Sequence, residues 1–119
     1  PEKPEVVEKG EKPVVQPVAI NIPSNVIEVI KSIQGTLESI IYNQEWSEVK
    51  RIPVRDLVTY LNTLSDGSNI YAIVMDGIIT QRLIDAASSR NVKLIIGARI
   101  SKISYKPESI TLLTFEDLL

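Results

Sequence analysis

The sequence of 119 residues contains no cysteine and no histidine. Lacking cysteine, it forms no disulfides and no thiolate metal or redox site. Lacking histidine, it has neither the commonest general base nor the usual metal ligand nor the usual partner of a nucleophilic serine. Any chemistry must run on carboxylates, lysine, tyrosine or hydroxyl groups, or not run at all. Long apolar runs are missing as well. Hydrophobic residues make up 44% of the chain, yet no stretch approaches the roughly 20 residues that a membrane span needs. No basic segment followed by an apolar one opens the sequence, so no signal peptide is read, no membrane partner is expected, and a cytoplasmic location is. Aromatic residues are only 5%, which leaves little surface for stacking nucleic-acid bases.

Charge of one sign is also scarce. The net charge of −2 makes the whole molecule a poor electrostatic trap for nucleic acid. Its distribution is uneven, however. Residues 82–106 hold Arg82, Arg90, Lys93, Arg99, Lys102 and Lys106 against Asp85 alone, so this segment is the one suited to meeting phosphates.

What is present divides the chain in two. Pro1, Pro4, Pro13, Pro17 and Pro23 are five of the seven prolines, and they are interleaved with Glu2, Lys3, Glu5, Glu8, Lys9, Glu11 and Lys12. Proline removes backbone donors and alternating charge resists burial, so residues 1–22 are expected to form a disordered linker. A tether at this place suggests a fragment with an ordered part upstream. Residues 23–119 are expected to be one α/β domain. Ser24 suits a helix N-cap, Val26, Ile27, Ile30 and Ile33 make an apolar helical stripe, and Gly35 suits its end. A strand over 36–42, a turn at Asn43 to Glu45 and a strand over 46–52 follow. Pro53 suits the first position of a helix carrying Val54, Leu57, Val58, Leu61 and Leu64. Ser65 to Ser68 break the chain.

The unbroken apolar run Ile70 to Met75 reads as a strand covered on both faces. Asp76-Gly77, a helix over about 79–89, a stop at Asn91 and a second buried strand over 92–97 complete a parallel βαβ unit. Further pairing is expected near residues 100–104, a turn at Lys106 to Glu108, and a last strand over 110–114. Thr114 with Asp117 signals a capped terminal helical turn. The fold class is therefore α/β, a small three-layer mixed sheet with a parallel βαβ unit, Toprim/Rossmann-like.

In open α/β sheets ligands sit beyond the carboxyl ends of the parallel strands. Asp76 and Gly77 occupy that edge, Thr80, Gln81 and Arg82 open the following helix, and Arg99 and Lys102 lie past the end of the neighbouring strand. Arg90 and Lys93 fall at the other end, some 20 Å away. These seven edge residues are the candidate binding site. A purely structural alternative stands beside it: Asp76 caps the helix and pairs with Arg99, and Arg90 complements a helix C-terminus. Trp46 suits either a cover for the hairpin or a contact with a partner.

The segments Pro53-Val54-Arg55-Asp56-Leu57, Met75-Asp76-Gly77-Ile78-Ile79-Thr80-Gln81-Arg82-Leu83, Ile96-Gly97-Ala98-Arg99-Ile100 and Leu113-Thr114-Phe115-Glu116-Asp117-Leu118 resemble the C-terminal region of archaeal DnaG-type primases. The resemblance runs from about residue 26 to the end and includes Gly35-Thr36-Leu37-Glu38. It implies a parent protein that makes short RNA primers through an upstream Toprim domain with Mg2+, and that associates with the RNA-degrading exosome. A Toprim site needs Glu-Gly at one strand end and Asp-x-Asp at the next, because two metal ions require converging carboxylates. Asp76 stands where the glutamate would, but Gly97-Ala98-Arg99 supplies no carboxylate and Arg99 would repel a metal. The resemblance thus implies a catalytically empty relative of the Toprim unit, with no catalytic residue, metal or cofactor of its own. By analogy with bacterial primases, partners would be the replicative helicase, exosome subunits or the rest of the primase. Two other readings are an RNA-contacting module using Arg82, Arg99 and Lys102, and a small nucleotide-binding or phosphoryl-transfer domain using Asp76.

Overall fold

Apolar side chains alternate between two faces along the central strands, and this alternation sets the layering of the computed structural model, which describes residues 21–64 and 69–119. The elements are α1 (Ser24–Ile33), β1 (Glu38–Tyr42), β2 (Glu48–Pro53), a 3-10 turn (Val54–Asp56), α2 (Leu57–Thr63), β3 (Ala72–Met75), β4 (Ile78–Ile79), α3 (Gln81–Ser89), β5 (Leu94–Gly97), β6 (Arg99–Ile100), β7 (Thr111–Thr114) and α4 (Phe115–Leu118). Five strands form one sheet in the order β2-β1-β3-β5-β7. β1 runs antiparallel to both neighbours, whereas β3, β5 and β7 are mutually parallel.

Ile41, Ile73, Met75 and Ile95 point to one face, where they meet Leu57 and Leu61 of α2 and Leu83, Ile84 and Ala87 of α3. Ile40, Tyr42, Ala72, Val74, Leu94 and Ile96 point to the other, against Val26, Ile30 and Ile33 of α1 and Phe115 of α4. The period-two pattern of the strands thus fills two cores at once. At about 1.5–3 kcal/mol for each fully buried large aliphatic side chain, these layers are the main stabilising element. The three-layer α/β architecture, its mixed sheet and the parallel β3–α3–β5 unit agree with the sequence reading. On the edge strand β2, residues Glu48 to Arg51 are all exposed, and their charges discourage further strand pairing there.

The boundaries depart from expectation where local chemistry intervenes. Ser24 is not the N-cap of α1. Pro23, with φ −61° and ψ 149°, takes that place, and its carbonyl accepts the Val26 and Ile27 amides. β1 starts later than expected because Gly35 and Leu37 both have positive φ and form the turn before it. β2 is delayed because the Asn43 side chain accepts the amides of Glu45 and Ser47 and holds the loop closed. Pro53 ends β2 and leads into the 3-10 turn, so α2 begins only at Leu57. The helix expected from residue 79 begins at Gln81, since Ile78 and Ile79 form β4. Pairing expected at residues 100–104 occurs at Arg99 and Ile100. The terminal turn is as expected: the Thr114 amide donates to the Asp117 carboxylate at 2.8 Å. Of the expected linker over 1–22, all but Asn21 and Ile22 lies outside the described residues, as does the break at Ser65 to Ser68.

Trp46, half-buried at the hairpin, packs at a tilt against Tyr42 and edge-to-face against Tyr71, with ring centroids 5.4 and 5.6 Å away. It covers the second core rather than standing free. Beneath it, burial pushes the Tyr42 phenol above its ordinary value of 10.0, Glu48 pushes the same way, and Arg51 opposes them. An unfolded chain ionises this phenol near pH 10 while the folded one resists, so the associated stability is intact below that pH and lost as pH rises through the elevated folded value. Urea midpoints measured on either side of pH 10 should fall with rising pH, and Tyr42→Phe should flatten that fall. An equally steep fall in the variant would assign it to other groups.

Candidate functional site at the carboxyl strand ends

β3 and β5 do not simply end at Met75 and Gly97. β3 runs on through Asp76 and Gly77, and β5 through Ala98, into a second, two-stranded parallel ladder in which Ile78 faces Arg99 and Ile79 faces Ile100. Backbone bonds close the gap between them. The Gly77 carbonyl accepts the Ala98 amide at 2.8 Å, and the Ile79 carbonyl accepts both the amide and the hydroxyl of Ser101 at 2.9 and 3.0 Å. This continuity requires a close approach. A Cβ on Gly97 would lie 2.7 Å from Ile79 Cγ1 and 3.1 Å from the Gly77 oxygen, and one on Gly77 would lie 2.9 Å from Val54 Cγ1. The space just beyond the carboxyl ends of β3 and β5 is therefore filled by the chain itself.

Asp76 is buried at this edge, 9% exposed. Its Oδ2 accepts the Leu37 amide at 2.8 Å, and its own amide donates to the Glu38 carbonyl at 2.9 Å. Both bonds reach back to the turn between α1 and β1. The alternative in which Asp76 caps α3 and pairs with Arg99 is not what forms. Thr80 is the cap, its hydroxyl oxygen accepting the Leu83 amide at 3.2 Å. Among the described residues the ion pairs are Glu28–Lys31 and Glu48–Arg51, and Asp76 belongs to neither. Arg90 does complement a helix C-terminus, but that of α2: its Nε donates to the Leu61 carbonyl at 2.7 Å.

Gln81 clamps the segment after β6. Its Oε1 accepts the Ser104 and Tyr105 amides at 2.9 and 3.0 Å, while its Nε2 donates to the Tyr105 carbonyl at 2.8 Å and to Asp85 at 3.1 Å. Arg82, Arg99 and Lys102 are exposed, and none of their side chains has a hydrogen bond or ion pair among the described residues. Of the seven predicted site residues, Asp76, Gly77, Thr80 and Gln81 are thus joined into one bonded edge, and three cations stand on its surface.

One feature of this edge escaped sequence reasoning. Leu37 adopts φ 59°, the left-handed region that costs a residue with a Cβ about 1–2 kcal/mol. It is held there from both sides, by Asp76 on its amide and by the Val54 amide on its carbonyl at 2.9 Å. Its side chain is 67% exposed. Beside it an apolar groove of about 520 Å³ is lined by Thr36, Leu37, Glu38, Pro53, Val54 and Arg55. Val54 also lines a smaller hollow of about 140 Å³ that reaches Val58, Met75, Ile78 and Leu83. Nothing in Gly35-Thr36-Leu37 marks the leucine for this conformation, which glycine or asparagine usually takes.

Comparison with known proteins gives this geometry a family. The chain is 58% identical over 101 residues to a DNA primase DnaG of Staphylothermus marinus, covering 85% of this chain and 24% of that protein. It is 50% identical over 117 residues to the DnaG of Desulfurococcus amylolyticus, covering 97% and 28%. It is 47% identical over 104 residues to that of Sulfurisphaera tokodaii, covering 87% and 26%. The chain belongs with the archaeal DnaG primases. It spans about a quarter of the length of these relatives. No family model matches it.

Asp76 to Leu83, one of the segments that carry the DnaG resemblance, therefore has a structural meaning at most of its positions. Asp76 anchors the preceding turn, Gly77 admits Val54, Thr80 caps α3, Gln81 holds the 104–105 backbone, and Leu83 fills the core. Arg82 alone of its charged and polar members has no such bond among the described residues. Mg2+, implied for the catalytic part of a DnaG primase, has no matching donor set here. Among the described residues no group of three or more acidic, histidine or cysteine side chains could hold a metal. The one carboxylate at the strand end is engaged by the Leu37 amide. No described helix is long and apolar enough to cross a membrane.

Proposed function

We propose that the chain is the C-terminal accessory domain of a DnaG-type primase, itself non-catalytic, and that it binds protein partners on behalf of a parent that makes RNA primers. The observation that carries this reading is the engagement of Asp76. In a catalytic Toprim edge the corresponding carboxylate would be free to meet metal, whereas here it accepts a backbone amide in a buried position. The parallel β3–α3–β5 unit supports kinship with a Toprim domain that has given up its chemistry. Replicative helicase and exosome subunits are the partners this reading names, in a cytoplasmic setting. A second reading, direct contact with RNA, is favoured by the grouping of Arg82, Arg99 and Lys102 with Tyr105, which is 66% exposed and held beside the start of α3 by Gln81.

The test is a full-length primase lacking residues 24–119. Primer synthesis on a single-stranded template should persist near the intact level, while capture of purified helicase or exosome subunits should be lost. Loss of primer synthesis with capture intact would overturn the proposal. Loss of binding to single-stranded RNA, steeply dependent on salt, would favour the second reading.

A further inference from the structure

The exposed and strained Leu37 stands out because nothing in the fold rewards it. It belongs to neither core cluster, and its side chain lies in solvent at the mouth of an apolar groove. Two long-range hydrogen bonds, to Asp76 and from Val54, hold it in that orientation. Backbone strain that surrounding bonds maintain at an exposed position is characteristic of binding surfaces. The apolar floor continues through Val54 to Ile78, itself 44% exposed. Arg55 lines one end. At the other, Arg99 faces Ile78 across the short ladder and Arg82 precedes the lining residue Leu83. These three arginines are exposed and form no ion pair among the described residues. The local anions are Glu38, half-buried in the groove wall, Asp56, Asp85, which accepts from Gln81, and Asp76, which is buried and accepts the Leu37 amide.

We infer that this groove is the docking site for an acidic peptide segment of a protein partner, with Leu37 as its apolar anchor and Arg55, Arg82 and Arg99 as its charged rim. Apolar side chains of the segment pack against Leu37, Val54 and Ile78, and its carboxylates meet guanidinium groups that have forked donors to offer. Pinning Leu37 beforehand lowers the ordering cost of binding. This rests on the interaction-domain reading and gives it a face and a chemistry.

The experiment pans a displayed library of random peptides against the 119-residue chain and measures the affinity of synthetic copies by fluorescence polarisation. Enriched peptides should combine leucine, isoleucine or phenylalanine with aspartate and glutamate. Leu37→Ser and Arg82→Glu should each weaken them about tenfold or more. Val49→Ser, which removes an exposed apolar side chain on β2 away from the groove, should leave binding unchanged. Enrichment of basic peptides, no enrichment, or equal binding to Leu37→Ser overturns the inference. So does self-association in sedimentation that Leu37→Ser abolishes, which would make a second copy the occupant, and so does single-stranded RNA bound in place of acidic peptides. If deleting residues 24–119 from the full primase abolishes partner capture while Leu37→Ser does not, the groove is wrong and the accessory-domain reading stands.

Discussion

Gly97→Ala is expected to destabilise the domain by about 2 kcal/mol, the range found when a methyl group is forced into a packed site. For a domain of this size that lowers the melting temperature by roughly 10 °C. The added Cβ would sit 2.7 and 3.1 Å from two carbons of Ile79 and 3.1 Å from the Gly77 carbonyl oxygen. Neither neighbour has room to give. Ile79 is fully buried in the first core, and the Gly77 oxygen is fixed by the Ala98 amide. The strain falls on the β4–β6 ladder, so amide exchange at Ala98 to Ser101 should accelerate more than the global loss requires. Ile79→Ala removes the nearer contact but leaves a cavity. The double variant should therefore lose less stability than the two single losses added together, which thermal unfolding of all four proteins measures. Strict additivity would show that the contact between positions 79 and 97 is not what excludes a side chain.

How much of this edge was legible in the sequence depends on how local its causes are. The apolar runs Ile70 to Met75 and, within Val92 to Gly97, Leu94 to Ile96 mark two buried strands, and β3 and β5 follow. Thr114 with Asp117 declared a cap whose chemistry lies within four residues. The sequence reading opens the helix at Ile79 rather than Gln81, because the short apolar run Ile78-Ile79 has no period of its own. Only its pairing with Arg99 and Ile100, some twenty residues on, makes it a strand. Gln81 carries no sign of its partners, because Ser104 and Tyr105 are brought to it by the path of the chain after β6. Asp76 could be placed at a strand end from the sequence, but not bonded. Its partner Leu37 is 39 positions away and reaches it only through the antiparallel register of β1 and β3, in which Ser39 faces Met75.

That bond makes the second large prediction. Asp76→Ala should cost about 2–3 kcal/mol, the range for a hydrogen bond to a carboxylate whose loss leaves a part-buried amide unpaired. Asp76→Asn keeps an oxygen acceptor in nearly the same place and should cost about 1 kcal/mol less than the alanine variant. If the carboxylate serves to hold Leu37 in its left-handed conformation, relief of that conformation should make the carboxylate less necessary. Glycine adopts φ near 59° without a Cβ penalty. Leu37→Gly alone should therefore leave the fold unchanged or stabilise it by up to about 1 kcal/mol, after the larger unfolded-state entropy of glycine is subtracted. In that background Asp76→Ala should cost roughly 1 kcal/mol less than in the parent, a coupling that urea denaturation of the four proteins resolves. A stabilising Leu37→Gly that also weakens peptide binding would show the leucine to be retained at the expense of stability, as expected of a side chain placed for a partner. A destabilising Leu37→Gly would instead mean that the exposed leucine packs usefully on Val54, and the strain would then be a consequence of folding rather than a preparation for binding.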